Sequence, residues 1–218
     1  MADFPKIIVA LDGISKKEAL TIAKKLKGLV WGFKLNDLLF DSTPIIKKFK
    51  KYGKVFADAK LHDIPNTVAN SVVRLSAAGA DMITLHSIGG FKMMKVAKKF
   101  AGKSKIIAVT VLTSHGGNAK QDVVSLAKDA QRAGIDGIVC SAYEVSYVPK
   151  KLLKIVPGIR PIWYISKDDQ KRTATPQEAI QSGADLIVIG RPITQSKNPV
   201  LATQQILNEI ENARITRS

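Results

Sequence analysis

Asp58 and Lys60 stand two residues apart in the apolar run Val55–Lys60. In a strand, side chains at i and i+2 leave from the same face, so this carboxylate and this ammonium project together. Burying either charge alone is costly; burying them as a pair keeps both ionised. A lysine held cationic can stabilise a developing anion and then donate a proton, but it is a poor Schiff-base nucleophile. The plainer reading is a buried ion pair without chemistry. Against it stand Asp12, Lys34 and Asp63, which fall at or just past the ends of neighbouring predicted strands and would converge on the same place.

A second group suits an anion. Gly190 lets backbone N–H groups approach, and Arg191 adds a planar cationic fork suited to phosphate. Pro157-Gly158 opens a long segment carrying Asp168, Asp169, Gln170, Lys171 and Arg172 before a helix that starts near Thr175-Pro176. Such a segment is expected to close over a phosphate. The three histidines, His62, His86 and His115, have no metal-ligand spacing, so no zinc site is expected. His62 reads as packing or outer support beside these residues, and His86 as structural support near the same strand ends. Cys140 falls in an apolar strand and reads as core.

The elements that must position these residues alternate along the chain. Predicted strands are Lys6–Leu11, Val30–Leu35, Val55–Lys60, Met82–His86, Ile106–Leu112, Gly137–Ser141, Ile155–Pro157 and Leu186–Ile189. Most are continuously apolar, as in a parallel sheet covered by helices. Amphipathic segments lie between them. One buries Ala19, Ile22, Ala23 and Leu26; another Ile45, Ile46, Phe49 and Tyr52; a third Met93, Val96, Ala97 and Phe100. Their lysines point outward. Gly79-x-Asp81, Gly134-x-Asp136 and Gly183-x-Asp185 each mark a helix end followed by a strand. Eight βα units predict one (β/α)8 (TIM) barrel domain over residues 1–218, with its chemistry at the carboxyl ends of the strands. A doubly wound sheet is disfavoured, because Asp12-Gly13-Ile14-Ser15 replaces a dinucleotide-binding glycine motif after the first strand.

Composition bounds the rest. The 218 residues carry 34 Lys+Arg and 18 Asp+Glu, a formal charge of +16. Charge of this size invites a phosphate-bearing partner, yet the lysines fall mainly on outward helix faces. Aromatic residues make up 6%, and Phe49, Tyr52 and Phe100 lie on core stripes, which argues against a nucleic-acid-binding face. The single cysteine excludes an intrachain disulfide framework and fits a cytoplasmic location. Apolar runs are strand-sized and the start has no secretory pattern, so neither a membrane span nor export is expected.

Asp58-Ala59-Lys60-Leu61-His62-Asp63-Ile64-Pro65-Asn66-Thr67 resembles the D-x-K-x-x-D-I-P-N-T signature of the orotidine 5′-phosphate decarboxylase family. Val9-Ala10-Leu11-Asp12, Phe33-Lys34, Pro157-Gly158-Ile159-Arg160-Pro161, Asp168-Asp169-Gln170 and Val188-Ile189-Gly190-Arg191-Pro192-Ile193-Thr194 resemble its other motifs. The resemblance implies a cofactor- and metal-free homodimeric barrel that converts orotidine 5′-monophosphate to uridine 5′-monophosphate and CO2. It implies a charge array of Lys34, Asp58, Lys60 and Asp63, with Lys60 protonating C6. Asp63 and Thr67 would enter the neighbouring subunit's site, and Asp12, Lys34 and Thr67 would face the ribose or the array. Ser114 would read the pyrimidine; Gln170, Gly158, Gly190 and Arg191 would serve the phosphate end. Two departures stand out: Val156 precedes Pro157 where many relatives have Thr or Ser, and Gly116 replaces a proline found in some.

The nearest rivals are the related sugar-phosphate enzymes, which share the D-x-K-x-x-D core but use Mg²⁺. They place an acidic residue where Lys34 stands, and a cation there repels a metal. They also follow the last Asp with small residues rather than Ile64-Pro65-Asn66-Thr67.

Overall fold

The predicted alternation closes on itself. The computed structural model describes residues 6–41, 44–111, 120–165 and 173–215. Its strands are β1 (Ile7–Ala10), β2 (Gly32–Leu35), β3 (Lys54–Leu61), β4 (Met82–His86), β5 (Lys105–Val109), β6 (Gly137–Val139), β7 (Leu153–Val156) and β8 (Leu186–Ile189). Each pairs in parallel with the next, and β8 returns to β1, giving a closed (β/α)8 barrel. The helices are α1 (Lys16–Lys25), α2 (Pro44–Phe49), α3 (Pro65–Ala77), α4 (Gly90–Lys99), α5 (Lys120–Arg132), α6 (Pro176–Gln181), α7 (Arg191–Thr194) and α8 (Pro199–Ile215). Between β6 and β7 the connection is a 3₁₀ turn over Ala142–Tyr147 in place of an α-helix.

Two apolar layers explain why the strands are apolar on both faces. Ile8, Ala10, Phe56, Met82, Ile107, Ile155, Leu186 and Val188 fill the barrel interior. Their neighbours Ile7, Val9, Ala57, Ile83, Ile106 and Ile187 pack outward with the helices. The predicted helix stripes are buried except that Tyr52 and Val96 are half-buried and one end is exposed. Phe100, assigned to the core from spacing, caps α4 and is 45% exposed, with the Lys99 ammonium 5.6 Å from its ring centre. The stripe fails there because the helix ends before its period can bring Phe100 round.

The three Gly-x-Asp steps have a shared geometry. Gly79, Gly134 and Gly183 all adopt positive φ, a conformation that glycine reaches without a Cβ clash. Each following aspartate then accepts from the backbone N–H of the second residue of the preceding strand: Asp81 from Val55 at 2.7 Å, Asp136 from Ile106 at 2.8 Å and Asp185 from Lys154 at 2.8 Å. These carboxylates pin neighbouring strands at the amino-terminal base of the barrel. Among the described residues, no helix is long and apolar enough to cross a membrane.

Candidate active site

The carboxyl ends of the strands surround a cavity of about 490 Å³. Asp12 after β1, Lys34 on β2, and Asp58 and Lys60 on β3 line one side. Pro157, Gly158 and Arg160 after β7, and Gly190, Arg191 and Thr194 after β8, line the other. Apolar Ala10, Phe56, Val109, Val139 and Val188 supply much of the remaining wall. Charge is thereby concentrated at two poles of a pocket whose size suits a small ligand.

The acidic-basic pole is a chain of alternating charges. Asp12 Oδ2 lies 2.5 Å from Lys34 Nζ, which lies 3.1 Å from Asp58 Oδ2, and the same oxygen is 2.6 Å from Lys60 Nζ. Burial works against the Lys34 charge, but Asp58 and Asp12 outweigh it and raise its pKa. Burial likewise opposes the Asp58 carboxylate, but Lys34 and Lys60 outweigh it and hold the carboxyl below its ordinary range. Lys34 and Asp58 therefore remain ions. The Asn36 amide, on the residue after β2, donates to the Asp58 carbonyl at 2.7 Å and anchors the backbone beneath the carboxylate.

Asp58 and Lys60 meet as expected, but not through regular alternation. Ala57 pairs with Ile83 and Leu61 with Leu85, so four steps of β3 oppose two of β4. Lys60 has φ +45°, the one positive φ outside glycine among the described residues. The strand bulges at the residue whose ammonium turns into the cavity, a placement that bulges favour beside active sites. Past the bulge, strand alternation no longer predicts where His62 points. His62 is exposed and its ring centre lies 5.9 Å from that of His86. Burial, then His62 and Lys60, push the His86 pKa down against the pull of Asp58. Neither ring lines the cavity.

At the other pole, α7 begins at Arg191 immediately after Gly190, and the backbone N–H groups of Ile193 and Thr194 bond to the Gly190 carbonyl at 2.8 and 3.0 Å. The segment after Gly158 leaves through a narrow neck: Arg160 N donates to Ala174 O at 2.8 Å and Ala174 N to Gly158 O at 3.3 Å. The predicted start of the next helix is also found, with Thr175 capping α6 and Glu178 returning to its backbone. Asp63 and Thr67 are exposed and do not line this chain's cavity. Ser114 and Gln170, with His115, Asp168, Asp169, Lys171 and Arg172, lie outside the described residues. Cys140 is buried and its thiol is pushed up to about 12, mainly by burial, which leaves it inert as a nucleophile.

Asn36 and Thr84 escaped the sequence reading. Asn36 lies two residues after Lys34, a spacing that could have exposed it. Thr84 is the hydroxyl residue inside an apolar strand, two steps from both Met82 and His86. Its hydroxyl donates to Asp58 Oδ1 at 2.9 Å and accepts from Lys60 N–H at 2.8 Å.

The family model described as "Orotidine 5'-phosphate decarboxylase / HUMPS family" matches residues 5–206. An orotidine 5′-phosphate decarboxylase of Wolbachia pipientis subsp. Culex pipiens is 44% identical, with 94% of this chain and 98% of the relative covered. One from Dichelobacter nodosus is 41% identical, with 92% and 96% covered. A crystal structure of orotidine 5′-phosphate decarboxylase from Lactobacillus acidophilus is 35% identical and superposes with a TM-score of 0.81, covering 95% of this chain and 99% of that one. Sequence, fold and the paired charges at the barrel mouth agree, and the chain belongs to the orotidine 5′-phosphate decarboxylase / HUMPS family.

Proposed function

We infer that this chain decarboxylates orotidine 5′-monophosphate to uridine 5′-monophosphate and CO2, within pyrimidine nucleotide synthesis, with Lys60 as proton donor to C6. The observation that carries the mechanism is the Asp12–Lys34–Asp58–Lys60 array beside the cavity. Breaking the C6–carboxyl bond leaves an electron pair in the ring plane, outside the π-system. A fixed ammonium is suited to stabilise that pair, and its proton completes the product. The Lys60 amine left behind regains a proton from solvent once product departs. Asp58 holds Lys60 in place and lies where the leaving carboxylate would be, so that loss of CO2 removes a negative charge from beside it.

The phosphate belongs at the opposite pole, against Gly190 and Arg191, with Gly158 and Arg160 at the rim. Its distance from the reacting carbon lets phosphate binding organise the site without touching the bond that breaks. Asp12 and Lys34 face the ribose between these poles. Ser114 is assigned to the pyrimidine and Gln170 to the phosphate end on the family resemblance alone. No metal or cofactor is required: the Lys34 ammonium occupies the position between Asp12 and Asp58 that a divalent cation would need.

The working unit is a homodimer in which Asp63 and Thr67 reach the neighbouring site. Both are exposed beside Ile64, itself 67% exposed, and Ile88 after β4 is 68% exposed. Apolar side chains so open around the mouth suit coverage by a second subunit. The enzyme acts in the cytoplasm, where its lone Cys140 stays reduced.

Orotidine 5′-monophosphate supplied with excess EDTA, followed by ultraviolet absorbance, tests the reaction. Turnover that survives the chelator is expected; turnover of a sugar phosphate that EDTA abolishes would instead assign the Mg²⁺-dependent chemistry. Mixing inactive Lys60→Ala with inactive Asp63→Ala should restore part of the activity through one intact shared site. Continued inactivity after demonstrated subunit exchange would refute sharing.

A further inference from the structure

We propose that Thr84 is a positioning residue for decarboxylation, locking the Asp58 carboxylate and the Lys60 bulge into one unit. The proposal rests on the reading of Asp58 and Lys60 as the reacting pair. Thr84 is completely buried on β4, on the inward side shared with Met82. Its hydroxyl spends its proton on Asp58 Oδ1 at 2.9 Å and takes one from the Lys60 backbone N–H at 2.8 Å.

Each bond has a distinct consequence. Asp58 Oδ2 carries both ammonium contacts, to Lys34 and Lys60. Oδ1 has Thr84 as its hydrogen-bond donor, so Thr84 sets the rotation of the carboxylate about its own axis. Without that bond the carboxylate can turn, and the two lysines would follow different oxygens. The second bond satisfies the backbone N–H of a residue at φ +45°, where the ladder between β3 and β4 is interrupted. A regular strand would offer this N–H a carbonyl; the bulge does not, and the hydroxyl replaces it. One oxygen atom therefore ties the side chain that orients the ammonium to the backbone that carries it. Asn36 grips the same segment from the β2 side through the Asp58 carbonyl, leaving the carboxylate to Thr84 and the lysines.

Valine has nearly the shape of threonine and lacks the hydroxyl, so Thr84→Val removes both bonds with little change in packing. The expected result is a fall in kcat of about 10–100-fold, the range for a lost hydrogen bond to a charged group, with KM changed by less than about threefold. The acid limb of the kcat–pH profile should move upward, because a hydrogen bond to the ionised carboxyl favours ionisation. The charged and titratable groups facing Asp58 are Lys34 from β2, with Asp12 from β1 beyond it, Lys60 on β3 itself, and His86 on β4. Thr84→Ser, which keeps the hydroxyl, should recover kcat to within about threefold and restore the acid limb.

The experiment is a cycle of Thr84→Val, Asp58→Asn and the double variant, assayed with orotidine 5′-monophosphate across pH. In the Asp58→Asn background the Thr84→Val effect should shrink to less than half its size on a logarithmic scale. An equal effect in both backgrounds, a kcat within threefold of wild type, or failure of Thr84→Ser to rescue would overturn the proposal. If Thr84→Val does not fold, Thr84→Ala takes its place in the same cycle with the same outcomes. Full activity of Asp58→Asn or Lys60→Ala would reject the underlying assignment of the reacting pair, a result separable from failure of Thr84 alone.

Discussion

The two ends of the barrel arrange the same kinds of ion differently. At the mouth, Lys34 and Lys60 converge on one oxygen of Asp58, a side chain 8% exposed. At the base, Lys50 pairs with Asp81 at 2.7 Å and Lys98 with Asp136 at 2.6 Å, with side chains between about a quarter and a third exposed. Distances barely differ between these pairs; desolvation differs at Asp58 and Lys34, whose side chains are 8% and 10% exposed, whereas Lys60 at 36% is as open as Lys50 and Lys98. At the buried Asp58–Lys34 centre each ion depends on its neighbour, so removing one strands the other. The basal pairs are screened by water, and their larger structural contribution is the carboxylate bond to the N–H of a strand's second residue. Charge at the base also follows helix polarity, since α1, α2 and α4 each finish with two lysines near their carboxyl ends. Ion-pair length therefore does not separate the two ends; a buried Asp58–Lys34 pair and convergence on a cavity do.

This contrast breaks first at Lys60. Under the proposed mechanism, Lys60→Ala should reduce kcat by at least about 10⁴-fold, combining lost electrostatic stabilisation with a lost proton donor. Its basal counterpart, Asp81→Ala, should leave kcat within about twofold while lowering folding stability by about 1–2 kcal/mol, as Val55 N–H loses its acceptor. Stopped assays and urea melts on the same two proteins measure both; a basal variant that loses activity without losing stability would erase the distinction.

Next in size is Arg191→Ala, which should lower kcat/KM by about 10–100-fold if the arginine holds the phosphate. Orotidine without the phosphate, used as a substrate, should hardly distinguish this variant from wild type. A comparable loss on both substrates would remove Arg191 from the phosphate pole.

A smaller effect separates the ends by pH. The Asp58 carboxyl is held below its ordinary 3.8, so the folded state takes up its proton less readily than the unfolded chain. Its stabilising contribution is present above that ordinary value and is lost as pH falls through the lower folded value. Denaturant melts from neutral pH downward should show stability declining in this window for wild type, with a shallower decline in Asp58→Asn. Identical slopes would mean that Asp58 is not held ionised by its lysines.

The smallest expected change is kinetic. Raising salt from about 0.05 to 0.3 M should lower kcat/KM by no more than a few-fold, through screening of the attraction between a +16 protein and an anionic substrate. A steep dependence would show that surface lysines contribute more to capture than the polar ends of the cavity do.

That Asp12, Lys34, Asp58, Lys60, Gly158, Gly190 and Arg191 gather around one cavity was legible because they fall at predicted strand ends, which share one end of a barrel. Local periods mislead where an element ends or bends. Phe100 obeys the stripe of α4 and still faces solvent, because its helix has already stopped. The Gly-x-Asp steps were visible as junctions, but the N–H groups that Asp81, Asp136 and Asp185 accept belong to other strands roughly 26–31 residues earlier. Thr84 was silent for a related reason: its partners Asp58 and Lys60 are 26 and 24 residues away, and nothing in Met82–His86 reports them.

By itself, the sequence determined the βα order, the two charged poles and the family's motifs, since each is written in residue type and short-range spacing. Only the tertiary structure decided that Asp58 and Lys60 meet across a bulge, that Oδ2 faces both lysines, and that a β4 hydroxyl secures the arrangement. Those facts depend on how β3 registers against β4 once the barrel closes. Register between strands is a property of the whole ring, and local periodicity does not encode an interruption in it.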